Sequence, residues 1–240
     1  MVEPILTNPK RNKMKSEIVS ITKPIKADLL SITPEQFIVY QARVSSPNNQ
    51  LNHVTGAGIL RYCLQNGHWS VFDMVDVTFE IVTSRAIMAQ ILRHSSFKFQ
   101  EFSQRYAEVK DFDFSDLEIR HKHDGGNRQG SGSVSDTLTD HAHGLVGEYV
   151  GEYTWMIECG AAAESARMVL PLCTPTRAYM KGSVRSWITY FWQRRSAHAQ
   201  KEHRLLADSI FAQFAEHFPL CASIVDAGQM KYVLNDGGAE

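Results

Sequence analysis

Cysteine is scarce in this 240-residue chain: there are four, Cys63, Cys159, Cys173 and Cys221, and no C-x-x-C pair. That argues against a zinc ribbon or a disulfide scaffold and fits a reducing, cytoplasmic setting, with most of the thiols in the core. Long apolar runs are missing as well, and none reaches the roughly 18 residues that a membrane span needs. The basic residues Lys10, Arg11, Lys13 and Lys15 have no apolar segment behind them, so no signal peptide is expected. Excess charge of either sign is absent, because 25 Lys and Arg face 26 Asp and Glu. A net charge of -1 argues against a nucleic-acid coat or a polybasic membrane binder. It leaves room for a local basic pocket that takes a phosphate-bearing small molecule.

Several chemical signatures are also absent. There is no G-x-x-x-x-G-K-[ST] and no strand followed by G-x-G-x-x-G, so neither a P-loop nor a Rossmann fingerprint is expected. No H-E-x-x-H and no G-x-S-x-G stand in the chain. His121 and His123, and His141 and His143, are i,i+2 pairs, while His198 and His203 are i,i+5. The i,i+2 pairs could ligate an ion from a strand, but the second lies in a predicted helix, where its members diverge, and i,i+5 is also poor helical geometry, so no metal site is expected.

What is present fits one domain over residues 1–240, since hydrophobic residues are 43% and no linker divides the chain. Thr33-Pro34-Glu35-Gln36 predicts a helix start with Thr33 as N-cap. A helix over about 57–65 should end at Gly67, a residue suited to the left-handed conformation. Residues 75–82 alternate and are rich in β-branched side chains, which predicts a strand, with Ser84 opening a helix that ends near His94. The Gly/Ser-rich segment 124–135 predicts a mobile loop. A long helix over 136–159, a short one over 161–168, a strand over 172–181 and helices over 183–195 and 199–218 complete the pattern.

Chemistry concentrates in two stretches. Residues 90–106 hold Arg93, Lys98 and Arg105 with His94, Glu101, Ser103 and Tyr106. Cations at the end of an apolar helix complement its dipole, and arginine also binds phosphate through two parallel hydrogen bonds. Residues 185–198 hold Arg185, Arg194 and Arg195 among aromatic side chains. Arg194 follows Arg185 by nine positions, so on a helix they point about 180° apart and do not serve one small group from one side. Arg167 is a lone cation in the apolar run 166–171, and burial would require a carboxylate or a ligand phosphate beside it.

These stretches together resemble the flavin-dependent thymidylate synthase family. Its signature, R-H-R then seven residues then S, stands here as Arg93-His94-Ser95 followed by Ser103, Arg105 and Tyr106. The likeness extends upstream through Ala42-Arg43-Val44-Ser45 and His68-Trp69-Ser70. Downstream it takes in residues 166–171, Arg185-Ser186, Arg194 and His198-Ala199-Gln200. It departs from the family where Ser95 replaces an arginine, Gln100 an asparagine, and Ser183 and Thr189 asparagines.

The resemblance implies an α+β fold, a twisted mixed sheet with packed helices. It implies reductive methylation of dUMP to dTMP, with methylenetetrahydrofolate as carbon donor and FAD reduced by NADPH. Gln90, Arg93, Glu101, Ser103, Arg105, Arg167 and Arg194 would contact dUMP, and Arg194 would be the catalytic cation against the uracil. His68, Ser70, Arg93, His94, Ser95, Glu101, Ser183, Arg185 and Thr189 would surround FAD. A homotetramer with shared sites is implied, with no nucleic acid or membrane partner. Two other readings remain open at this point: a non-catalytic nucleotide-binding protein of the same fold, and a flavoprotein acting on another substrate.

Overall fold

A computed structural model describes residues 25–108, 112–123 and 130–226. Strand β1 (Lys26–Ile32) leads to helices α1 (Gln36–Ala42), α2 (Gly56–Gln65) and α3 (Ser70–Asp73). Strand β2 (Asp76–Ser84) runs directly into α4 (Arg85–Ile91), and β3 (Lys98–Glu101) follows. Strands β4 (Arg120–Lys122) and β5 (Ser131–Val134) precede the long α5 (Asp136–Glu158) and the short α6 (Ala163–Ala166). Strand β6 (Pro175–Ser183) runs directly into α7 (Val184–Arg194), and α8 (Lys201–His217) and α9 (Pro219–Asp226) come last among the described elements.

The main sheet has the order β1-β2-β6-β3, and β4 pairs with β5 separately. The α+β class is as expected, but every described strand pair is antiparallel, so the sheet is not mixed. The physical reason is visible on β2. Val77, Phe79 and Ile81 are buried while Asp76, Thr78 and Glu80 are only partly so, the one-sided alternation that suits antiparallel pairing. Helices α4, α7 and α8 pack against the sheet, and their buried residues join it in one apolar core.

Trp187 of α7 is the hub of the core. Its ring lies 5.1 Å from Phe79 and 4.7 Å from Phe97, and its indole N–H donates to the Val77 carbonyl at 3.2 Å. Gly182 makes this packing possible, because a Cβ there would sit 2.5 Å from the Phe97 ring. Phe97 in turn holds the loop that carries His94, their rings 6.3 Å apart. A core contact thus anchors one of the two chemical stretches.

Both strand-to-helix junctions use a serine. Ser84 accepts from the Ile87 N–H and Ser183 from the Ser186 N–H, each at 3.3 Å, so each caps the helix that its strand enters. Gly67 takes φ 68°, as its place after α2 predicts. The start at Thr33 is not found. The Thr33 N–H is tied to the Asp76 carbonyl at 3.1 Å, and α1 begins at Gln36. Glu35 instead caps a distant helix, its carboxylate accepting from Leu220 N at 3.3 Å and Cys221 N at 2.9 Å at the head of α9. Burial pushes the Glu35 carboxyl up, against those two N–H donors.

The expected loop at 124–135 is corrected in part. Residues 131–134 form β5 against β4, and residues 124–129 lie outside the described residues. Only two of the four thiols, Cys63 and Cys221, are buried. No described helix is long and apolar enough to cross a membrane.

Candidate active site

The end of α4, the end of α7 and the start of α8 meet in one polar cluster. The Arg194 Nε–H donates to His94 Nε2 at 2.9 Å. That contact requires a lone pair on Nε2, hence a neutral ring. Burial, then the charges of Arg194 and Arg93, lower the His94 pKa to about 4, which meets the requirement. With Nε committed, both terminal nitrogens of Arg194 are without a hydrogen-bond partner among the described residues. No carboxylate lies within 4.0 Å of this guanidinium among the described residues. A cation with no carboxylate partner among the described residues is suited to a ligand oxygen or an anionic ring edge.

Gln90 belongs to the same cluster. Its Nε2–H donates to Gln200 Oε1 at 2.7 Å, and its Oε1 lies 3.3 Å from His203 Nδ1. His203 Nε2 lies 3.2 Å from the Tyr190 hydroxyl. Tyr190 precedes Arg194 by one helical turn, so the two share a face of α7. Beyond Gln200 opens a cavity of about 260 Å³ lined by Thr83, Phe114, Ile119, Arg120 and Glu202, and none of the expected site residues line it.

A second cluster joins the end of β3 to α6. Arg105 pairs with Glu164 at 3.4 Å, and the Arg167 Nε–H donates to the Glu164 carbonyl at 3.3 Å. Of the two expected partners, a carboxylate or a ligand phosphate, no carboxylate pairs with Arg167 among the described residues; its Nε–H meets a carbonyl instead. The Ser103 hydroxyl accepts from the Arg105 N–H at 3.4 Å, and among the described residues no base hydrogen-bonds it. It has no activation as a nucleophile. Glu101, just upstream, accepts from Thr176 at 2.8 Å and pairs with Arg85 at 3.5 Å.

A third cluster surrounds the start of α7. Asp73 receives the Ser183 hydroxyl at 2.9 Å and Arg185 Nη1 at 3.0 Å. The Arg185 guanidinium lies 5.4 Å from the centre of the Trp69 ring. His68 and Ser70 flank Trp69 and are exposed, with His68 edge-on to Tyr62 at 5.8 Å. Thr189 donates to the Arg185 carbonyl at 3.0 Å, a bond within the helix that leaves only its oxygen free.

The structure thus brings Gln90, His94 and Arg194 together, Arg105 and Arg167 together, and Ser183 and Arg185 together. Among the described residues no hydrogen bond or ion pair joins the three clusters. Arg185 and Arg194 stand at opposite ends of α7, as their spacing predicts. Arg93 and Ser95 are exposed and have no partner among the described residues. Sequence reasoning missed His203, Tyr190, Asp73 and Glu164. The signals for two of them were the four-residue step from Tyr190 to Arg194 and the three-residue step from Gln200 to His203.

A flavin dinucleotide fits the donor chemistry here. Arg93, a cation with no partner among the described residues, and the exposed hydroxyls of Ser70 and Ser95 are donors that suit a diphosphate, and Arg185 lies over the Trp69 ring; the Ser183 hydroxyl is already committed to Asp73. Among the described residues no group of three or more His, Cys, Asp or Glu is placed to hold a metal.

The family model described as thymidylate synthase complementing protein, Thy1, matches residues 28–220. The flavin-dependent thymidylate synthase of Synechocystis sp. is 45% identical over 219 residues, covering 89% of this chain and all of the relative. The probable flavin-dependent thymidylate synthase of Paramecium bursaria Chlorella virus 1 is 41% identical over 226 residues, covering 89% of this chain and 99% of the relative. In fold, the chain is similar to the UMP/dUMP methylase PolB from Streptomyces cacaoi, solved with 5-Br dUMP bound. The TM-score is 0.74 at 24% identity, over 87% of this chain and 97% of the other. With a family model spanning most of its length and two full-length relatives above 40% identity, this chain belongs to the Thy1 family of flavin-dependent thymidylate synthases.

Proposed function

We propose that this chain, a flavin-dependent thymidylate synthase, makes dTMP from dUMP by reductive methylation, with methylenetetrahydrofolate as the carbon donor and NADPH reducing its FAD. The observation that carries the reading is Arg194, docked through Nε on a neutral His94 and free of any described carboxylate. Uracil C5 is a weak nucleophile. A cation held against the pyrimidine edge stabilises negative charge on the ring and so raises the electron density at C5. A carboxylate partner on Arg194 would cancel that effect. His94 orients the guanidinium without neutralising it.

The remaining residues divide by chemistry. Arg105 and Arg167 converge on Glu164 and supply cations for the phosphate, with Ser103 adding a hydroxyl. Gln90, Arg93 and Glu101 complete the dUMP contacts. His68, Ser70, Arg93, His94, Ser95, Glu101, Ser183, Arg185 and Thr189 hold FAD, which when bound supplies the hydride that completes the methyl group. The chain assembles as a homotetramer with shared sites. Two features support this: the three separate clusters, and the apolar residues Leu138, Leu145, Tyr149 and Trp155 that α5 leaves exposed. The four free cysteines suit a reducing cytoplasm.

The decisive experiment is tritium release from dUMP labelled at C5, with FAD, NADPH and methylenetetrahydrofolate present and folate omitted as control. Folate-dependent release is expected. A folded, flavin-loaded protein that releases none would overturn the assignment.

A further inference from the structure

We infer that His203 is a positioning residue that fixes the amide of Gln90 for substrate, and that Tyr190 sets the tautomer in which it does so. The inference rests on the reading of Gln90 as a dUMP contact. His203 is the third residue of α8 and is fully buried, as is Tyr190 on α7. A buried imidazole is tolerated where both ring nitrogens are satisfied, and here both are.

The polarity of the chain of hydrogen bonds follows from the donor inventory. Gln90 Oε1 only accepts, so the His203 Nδ1 facing it at 3.3 Å carries the proton. Burial, with Arg194 and His94 beside it, lowers the His203 pKa to about 3, so the ring is neutral. Nε2 then has only a lone pair, and the Tyr190 hydroxyl at 3.2 Å donates to it. Burial raises the Tyr190 pKa, which keeps that proton in place. At the far end the Gln90 Nε2–H donates to Gln200 at 2.7 Å.

The result is an amide held at both ends. A half-buried glutamine fixed at one end only exchanges its nearly isosteric oxygen and NH₂ groups by rotation. In Gln90 the oxygen and one N–H are committed, which leaves one N–H as a donor of set direction in the cluster that holds His203 and Arg194. His203 acts through Gln90 and does not itself touch substrate.

The test measures dUMP affinity by equilibrium dialysis, together with KM and kcat, on flavin-loaded, full-length enzyme. The variants are Gln90→Ala, His203→Leu, Tyr190→Phe and each of the last two combined with Gln90→Ala. His203→Leu should weaken dUMP binding roughly tenfold with kcat changed less than threefold, the pattern of lost uniform binding. Tyr190→Phe should act in the same direction and more weakly. Neither should weaken binding further once Gln90 is alanine, a non-additivity that a purely structural role would not produce. Where His203→Leu fails to fold, the Tyr190→Phe cycle decides alone. If Gln90→Ala weakens dUMP binding but the His203 and Tyr190 variants do not, the positioning role is overturned and the substrate reading stands. Additive effects overturn it equally. If Gln90→Ala leaves binding intact, the substrate reading of Gln90 falls and takes the inference with it.

Discussion

Arg194 and Arg195 are neighbours at the end of α7, and their surroundings are opposite. Arg195 pairs with Asp208 at 2.8 Å and Asp226 at 3.1 Å, and its guanidinium lies 3.6 Å from the Phe211 ring centre. Arg194 has a neutral imidazole at 2.9 Å and no described carboxylate within reach. One residue of helical rotation, about 100°, separates a cation that closes the α7–α8–α9 packing from one kept available. The difference shows how a fold retains an uncompensated charge: it lends that charge a hydrogen-bond acceptor that carries no charge of its own.

Removing the available cation should have the largest effect. Arg194→Ala should lower kcat/KM about 10²- to 10³-fold, the usual cost of deleting one preorganised electrostatic group. The thermal midpoint should fall only slightly, because the hydrogen bond to His94 is lost but no ion pair is. Arg194→Lys restores charge without the planar fork or Nε and should recover only part of the rate. Steady-state kinetics beside thermal melts check this. A variant that loses stability as much as rate would place Arg194 with Arg195 as a structural residue.

Acid should disturb the two sides unequally. The folded His94 and His203 titrate near 4 and 3, below the ordinary histidine value of 6.5. The unfolded chain therefore takes up protons first as pH falls. Their contribution to stability is fully present above pH 6.5 and drains away as pH drops toward 4. Melting between pH 8 and pH 4 should show that decline, and His94→Gln should make it shallower. An unchanged pH profile in the variant would contradict the neutral-acceptor account of the Arg194 site.

Much of this was legible in the sequence, and the failures have physical causes. Alternation over 75–82, the serines at 84 and 183 and the glycine at 67 each report a local requirement, and each landed where expected. Strand β1 was not legible, because a register shift between Leu29 and Ser31 breaks its alternation and only Ala27 is buried. The helix start at Thr33 misled for a related reason: Thr33 is tied to Asp76 and Glu35 caps a helix 185 residues away, while capping rules read only neighbours. In the site, the family likeness supplied the residue types. The neutrality of His94 and the part played by His203 depend on burial, which one sequence does not display.

Ser95 tests how much cation the Arg194 side tolerates. It stands exposed between His94 and the Phe97 anchor, where the family carries arginine. Ser95→Arg adds a charged donor toward the expected flavin and should tighten FAD binding about tenfold, near 1.4 kcal/mol. Titration of apo-protein with FAD, read by flavin fluorescence, measures it. Unchanged affinity would mean that Ser95 does not face the cofactor.

The smallest effect should come from the compensated arginine. Both ion pairs of Arg195 are partly exposed to solvent, so each contributes only a few tenths of a kcal/mol, and the Phe211 contact adds roughly 0.5–1. Arg195→Ala should therefore cost about 1 kcal/mol by denaturant melting, with kcat within about twofold of the parent. Asp208→Asn should cost less, since the Asp226 pair and the aromatic contact survive it. A rate loss in Arg195→Ala that matches Arg194→Ala would break the comparison, because it would mean that α7 presents both cations to substrate. A stability loss without rate loss leaves the division between the two neighbours intact, and with it the argument that Arg194 is functional because no described carboxylate neutralises it.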